Sequence, residues 1–260
     1  MTWSERQRAM LRAMGLPVWA PPPGSPAMAP GAAPEPAATL AAPIEAPRTV
    51  GRPESPIAPP MVSAAAPRRD VDTMDWPALR AAVSACRACA LCEGRTQTVF
   101  GVGNQRAHWM IVGEAPGEQE DLKGEPFVGA AGQLLDAMLR ALGLARSEGP
   151  PERQVFIANT LKCRPPRNRN PEPSELAQCE PFLRRQIALV QPRIILAMGR
   201  FAVQSLLRSD DAIGRLRGRV HRYEGVPLVV TYHPAYLLRQ PSDKAKAWDD
   251  LCLAASVLDR

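Results

Sequence analysis

The sequence predicts an α/β domain, a mostly parallel sheet covered by helices on both faces. Three observations carry that prediction. From about residue 74 onward, short continuous apolar runs alternate with longer amphipathic ones, the pattern of doubly covered strands joined by helical crossovers. Each apolar run leads into a loop of polar or special residues, where open parallel sheets bind their ligands. Before residue 74 this pattern is absent, and 15 of the chain's 29 prolines lie within residues 17–67.

Residues 3–15 place Trp3, Met10, Leu11 and Met14 at near-helical spacing, with Arg6, Arg8 and Arg12 between them. Residues 1–17 therefore read as a short amphipathic helix, either a docking peptide for a protein partner or a frayed terminus. Residues 18–72, rich in Pro and Ala, cannot bury enough apolar surface to offset chain entropy and are expected to form a disordered linker. The folded domain then occupies residues 73–260. A helix over 75–92 carries the first cysteines. The run 108–113 predicts a strand, and 129–143 a helix with a glycine stop. Residues 155–159 predict a second strand, and 174–190 a long helix with Ser174 as its N-cap. A third strand spans 193–198, followed by a helix through Leu207. A fourth spans 226–231, and a last helix runs from about Ser242 to Leu258.

Composition narrows the function classes. No run of about 18 apolar residues exists, so no membrane-spanning helix is expected. The N-terminus lacks the apolar run of a secretory signal. Six cysteines without an export signal favour a reducing, cytoplasmic setting and metal ligation over disulfides. The net charge is +6. Lys162, Arg164, Arg167 and Arg169 form one basic cluster and Arg215, Arg217, Arg219 and Arg222 another; a nucleic-acid surface and a merely solvated face both fit.

The cysteines are the most informative residues. Cys86, Cys89 and Cys92 form a C-x-x-C-x-x-C run, and Cys163 and Cys179 follow at a distance. Four thiolates from this set suit either zinc or a [4Fe–4S] cluster, and spacing does not separate the two. Cys252, on an apolar helix face, is expected in the core. Between the cysteines, Glu114, Glu118, Glu120 and Asp121 crowd the turn after the first strand. A carboxylate placed there can orient water or stabilise a cation, although a solvated acidic loop is the plainer reading. Asn159, Phe127 and His233 lie at or beyond strand ends. Asn159 suits the edge of a pyrimidine and Phe127 the face of a flat base, while His233 after a buried strand is a weak signal on its own; each is also a common structural residue.

At these positions the chain resembles the iron–sulfur (family four) uracil-DNA glycosylases. The resemblance runs from about Cys86 to Leu253. It rests on Cys-Arg-Ala-Cys at 86–89, Gly-Glu-Ala-Pro-Gly-Glu-Gln-Glu-Asp at 113–121 and Gly-Glu-Pro-Phe-Val-Gly at 124–129. Asn-Thr-Leu-Lys-Cys-Arg-Pro-Pro at 159–166 and His-Pro-Ala-Tyr-Leu-Leu at 233–238 complete it.

The resemblance implies a three-layer α/β/α domain around a four-stranded, mostly parallel sheet. It implies a structural [4Fe–4S] cluster on Cys86, Cys89, Cys163 and Cys179, with Cys92 spare. The implied reaction is hydrolysis of the N-glycosidic bond of deoxyuridine in DNA, releasing uracil and leaving an abasic site. Phe127 would stack on uracil and Asn159 read its N3/O4 edge. Ala115 lies in the base-binding turn, where side chains near Glu114 would exclude thymine. His233 would stabilise charge on uracil O2. Glu120, ahead of Glu114, would orient water and stabilise the oxocarbenium-like sugar. Other uracil glycosylases carry Asp or Asn at the position of Ala115, so their water-activating residue does not transfer. A cross-linking relative has Gln there and a basic loop ending in His; Ala115 and the His-free segment 164–171 imply turnover instead.

Lys162, Arg164, Arg167, Arg169 and Arg239 are the expected phosphate contacts, and Leu237 or Leu238 the wedge replacing a flipped base. The expected partner is uracil-containing DNA, single- or double-stranded. A monomeric, cytoplasmic, nucleoid-associated protein is anticipated, with a possible second partner at residues 1–17. The competing class is a non-catalytic cluster-bearing module that binds nucleic acid or assists a polymerase.

Overall fold

The computed structural model describes residues 71–147 and 149–258, together with Ala9. The expected docking helix and nearly all of the linker lie outside the described residues. Val71–Thr73 already forms a 3₁₀ turn, and the Asp72 carboxylate accepts from the Arg184 guanidinium at 2.6 Å. This turn takes in the last two residues assigned to the linker, Val71 and Asp72.

Among the described residues, six strands form one sheet: β1 (Val102–Gly103), β2 (Trp109–Gly113), β3 (Val155–Asn159), β4 (Ile194–Met198), β5 (Val220–Tyr223) and β6 (Val226–Thr231). The order is β1-β3-β2-β4-β6-β5. The four inner strands are mutually parallel and are the four predicted from apolar runs. β1 and β5 pair antiparallel at the two edges and were not expected: β1 is too short to show a pattern, and Val-His-Arg-Tyr in β5 carries no apolar run.

The helices are α1 (Trp76–Ser84), α2 (Leu91–Gly94), α3 (Glu118–Lys123), α4 (Ala130–Ala141), α5 (Pro173–Val190), α6 (Arg200–Leu207), α7 (Ile213–Leu216), α8 (Pro234–Arg239) and α9 (Lys244–Leu258). Alternate strand residues face opposite layers, as the period of two requires. Trp109, Ile111, Ile157 and Leu196 pack with Leu135 and Met138 of α4 and with Trp248 and Leu251 of α9. Met110, Val112, Phe156 and Ile195 pack with Leu183 and Ile187 of α5 and with Val203 of α6. All five positions of β2, β3 and β4 are buried, which is why these strands read as unbroken apolar runs. The three-layer α/β/α architecture follows.

Several local expectations need correction. The helix drawn over 75–92 ends at Ser84, and Cys86 and Cys89 occupy a loop before α2. The acidic segment taken for a loop contains α3; three of its acids lie in the first turn, where the helix dipole favours negative charge. The His-Pro loop continues into α8, whose His233 serves as N-cap, and the last helix starts at Lys244. Cys252 is exposed rather than in the core.

Candidate active site

The parallel register sets Gly113, the last residue of β2, directly beside Asn159, the last residue of β3. Their loops therefore open at the same end of the sheet as His233, two residues beyond β6. Asn159 is only 2% exposed, yet its side-chain oxygen Oδ1 makes no hydrogen bond. A buried carbonyl oxygen without a partner costs on the order of 1–3 kcal/mol. Such an orphan commonly marks the place of an absent ligand.

Phe127 forms the adjoining wall. It is 5% exposed, and its ring stacks on the His233 imidazole at 5.3 Å and 28°. Gly113 makes this arrangement possible. A Cβ there would lie 2.4 Å from Asn159 Oδ1 and 2.6 Å from the Phe127 ring, so only glycine lets both side chains converge.

The two candidate carboxylates have different surroundings. Glu120 is fully engaged: Oε2 accepts from the Gly117 N–H at 3.1 Å, and Oε1 from Val128 and Gly129 at 3.0 and 3.2 Å. It closes the N-terminus of α3 in the manner of a capping box and also ties down the approach to α4. The Glu114 carboxylate makes no hydrogen bond or ion pair among the described residues, although the main-chain oxygen of Glu114 accepts from the Leu161 N–H and the Thr160 hydroxyl. Burial alone pushes its pKa up to about 6, because desolvation penalises the ionised form. Of the two, the Glu114 carboxylate is the one without a hydrogen-bond partner, and Glu120, the first choice from the sequence, is engaged with backbone N–H groups. Asp121, 3% exposed, accepts from the Thr96 N–H through both oxygens at 2.9 and 3.0 Å and braces the loop before β1. Glu118 reaches Arg164 at 3.8 Å.

His233 is held in one tautomer. Its Nδ1 accepts from the Ala235 N–H at 3.2 Å, so in the neutral ring the proton sits on Nε2. Burial, reinforced by Arg239, lowers its pKa to about 4 against an opposing pull from Glu120. The imidazole is accordingly a neutral donor at physiological pH. Ala115 packs with its methyl against the cysteine-bearing core, which makes that side chain part of the packing.

The expected phosphate contacts divide sharply. Lys162 is 1% exposed and donates through Nζ to the Asn159 main-chain oxygen and to Gln186 Oε1, each at 2.7 Å. Lys162 is thus an internal brace beneath Asn159 and cannot reach DNA. Its pKa falls to about 8 through burial. Arg169 is committed to Glu175 through two bonds of 2.9 and 2.6 Å and to Glu172 at 3.2 Å. Arg164 donates to Asn168 at 2.8 Å. Arg167 and Arg239 are exposed, and their guanidinium groups make no hydrogen bond among the described residues. Leu237 is fully buried while Leu238 is 44% exposed, so of the two only Leu238 reaches the surface.

Cys163 and Cys179 are buried in a third core with Leu79, Val83 and Phe182, and Cys86 and Cys89 pack against it. Cys92 is not among those residues. Arg95 donates to Cys163 Sγ at 3.0 Å and to the main-chain oxygens of Ser84 and Cys86 at 3.0 and 2.9 Å. Burial raises the thiol pKa of Cys89 and Cys163 and pushes that of Cys179 up to about 12. Bare thiolates are unfavourable there, and coordination to a cationic metal centre reverses that preference. Among the described residues no three His, Cys, Asp or Glu side chains are grouped for a single metal ion. Four cysteine thiols are the donor type that a [4Fe–4S] cluster takes.

The sequence reading missed Gly113 as the clearance for the site, the Lys162–Gln186 brace and Arg95. The first had a signal, a glycine ending an apolar strand. The other two depend on contacts distant in sequence and had none.

The family model for the uracil DNA glycosylase superfamily matches residues 100–252. A type-4 uracil-DNA glycosylase of Archaeoglobus fulgidus is 45% identical over 167 residues, covering 61% of this chain and 81% of the relative. One from Sulfurisphaera tokodaii is 44% identical over 169 residues, covering 62% and 74%. One from Pyrobaculum aerophilum is 40% identical over 188 residues, covering 69% and 93%. With the sheet, the converging strand ends and these matches together, the chain belongs to the uracil DNA glycosylase superfamily, in its type-4 branch.

Proposed function

We propose that this chain is a DNA-repair hydrolase that cleaves the N-glycosidic bond of deoxyuridine, releasing uracil and leaving an abasic site. The observation that carries this reading is the buried, unpartnered Oδ1 of Asn159 beside Phe127. A base inside the duplex is out of reach and must rotate into the pocket, at a cost of roughly a few kcal/mol. Uracil offers N3–H to Oδ1 and accepts at O4 from Nδ2, satisfying the orphan oxygen. Cytosine presents an acceptor at N3 and a donor at N4, so both contacts turn repulsive.

As the bond to C1′ lengthens, negative charge gathers on the departing base. The neutral Nε2–H of His233 donates to uracil O2 and stabilises it without first losing a proton. Positive charge develops on the sugar, and the ionised Glu114 is the free carboxylate to oppose it and to orient the attacking water. Glu120 holds the turn that presents Glu114. Arg167 and Arg239, with Arg164, contact phosphates, and Leu238 fills the space left by the rotated base. The non-catalytic reading has no observation in its favour, because recognition and charge-stabilising groups share one site.

The test uses a uracil-containing oligonucleotide, followed by alkali. Strand cleavage at uracil is expected with the intact chain and about 10²–10³-fold less with His233→Ala. No cleavage by the intact chain sinks the proposal.

The residues that would hold the [4Fe–4S] cluster are Cys86, Cys89, Cys163 and Cys179. When bound, it supplies a four-point tie between the loop after α1 and the segments around β3 and α5. Purified protein is expected to be brown with about four irons per chain. Cys163→Ser should lose iron and lower the melting temperature. Colourless protein containing one zinc would overturn this assignment.

A further inference from the structure

We infer that Arg146, oriented by Asp136, is a positioning residue for base capture: its guanidinium fixes the main chain at Phe127 so that the ring faces the base. This rests on the reading of Phe127 as the stacking surface. Phe127 has φ +56°, a left-handed conformation that bulky side chains rarely enter and that persists only where the surroundings over-determine it.

Those surroundings are specific. Arg146 donates from Nη1 to the Pro126 oxygen at 3.0 Å and from Nη2 to the Phe127 oxygen at 3.2 Å. Its Nε donates to Asp136 Oδ1 at 2.8 Å. On the other side, a Cβ at Gly132 of α4 would lie 1.8 Å from the Phe127 oxygen. That carbonyl is therefore pinned between the guanidinium and the helix. Only a flat fork of several N–H donors can span two consecutive carbonyls and a carboxylate together; a lysine ammonium cannot. The Arg146 side chain is 19% exposed, and each of its three nitrogens already has an acceptor. Its geometry is that of an internal clamp rather than a phosphate contact. Releasing it lets Phe127 relax toward ordinary backbone angles and carries the ring away from Gly113 and His233.

The experiment compares the full-length chain with Arg146→Met, Arg146→Lys, Phe127→Ala and the Phe127→Ala/Arg146→Met double variant. Three quantities are read: inhibition by free uracil, affinity for abasic-site DNA, and melting temperature. Arg146→Met and Arg146→Lys should each weaken uracil inhibition about tenfold, with abasic-DNA affinity held within about twofold. On the Phe127→Ala background, Arg146→Met should add nothing further, because the ring it positions is gone. If Arg146→Met fails to fold, Asp136→Asn supplies a milder loosening of the same clamp and should weaken uracil inhibition in the same sense. Unchanged uracil inhibition in Arg146→Met, or in Asp136→Asn where that variant stands in, overturns the inference. So does an Arg146→Met effect that persists undiminished without the Phe127 ring. Failure of the underlying reading looks different: Phe127→Ala itself would then leave uracil inhibition unchanged.

Discussion

Asn159→Ala is expected to lower kcat/KM on uracil-containing DNA by about 10²–10³ without destabilising the domain. The two halves of this result have one cause. Asn159 Oδ1 is buried and unpartnered, so its removal takes no hydrogen bond from the folded state and relieves a desolvation penalty. The main-chain oxygen of residue 159 still accepts from Lys162, so the brace beneath the site survives. What disappears is the acceptor for N3–H and the donor for O4, the only side-chain reading of the base edge on this strand. Melting temperature and excision rate measured on the same preparation check both halves. Activity retained within about tenfold would remove Asn159 from recognition, and a collapse in melting temperature would recast it as a structural residue.

The second large effect concerns Glu114. Its folded-state pKa of about 6 lies above the ordinary carboxylate value, and the ionised form is the one that opposes sugar cation charge. Excision should therefore rise as pH increases through about 6 and level off above it. His233 does not set this limb, since its pKa lies near 4 and it is already neutral there. Glu114→Gln should lose both most of the activity and the limb, whereas His233→Ala should lose activity and keep the limb.

The same shift bears on stability. A carboxylate with a raised folded pKa favours folding below its unfolded value and loses that contribution as pH rises through about 6. Ionised at neutral pH, Glu114 costs up to about 2 kcal/mol, and Glu114→Gln should melt higher at pH 8 than the parent. A limb that remains in Glu114→Gln would return the role to another group.

Much of this was legible in the chain. Buried parallel strands advertise themselves as unbroken apolar runs, so β2, β3, β4 and β6 could be read directly, and strand ends named Gly113, Asn159 and the approach to His233. The cysteines proposed to hold the cluster stood out by number and spacing, since metal ligation accounts for such a set where disulfides are not expected. Residue type alone misled at Lys162 and Arg169. Each is basic and follows a motif, but one is buried under Asn159 and the other is spent on Glu175. Leu237 and Leu238 were indistinguishable in sequence, and only the helical turn after His233 separates the core leucine from the exposed one.

The contrast between Glu114 and Glu120 marks the boundary most clearly. The sequence by itself determined the fold class, the family resemblance and the chemical types assembled at the strand ends, because period and composition are local properties. Only the tertiary structure decided which carboxylate is free. The Glu120 carboxylate finds three backbone N–H groups at the starts of two helices, and the Glu114 carboxylate finds none. Whether a polar group is satisfied depends on where distant backbone donors end up. That is settled by how helices and strands pack, and no local pattern of residues encodes it.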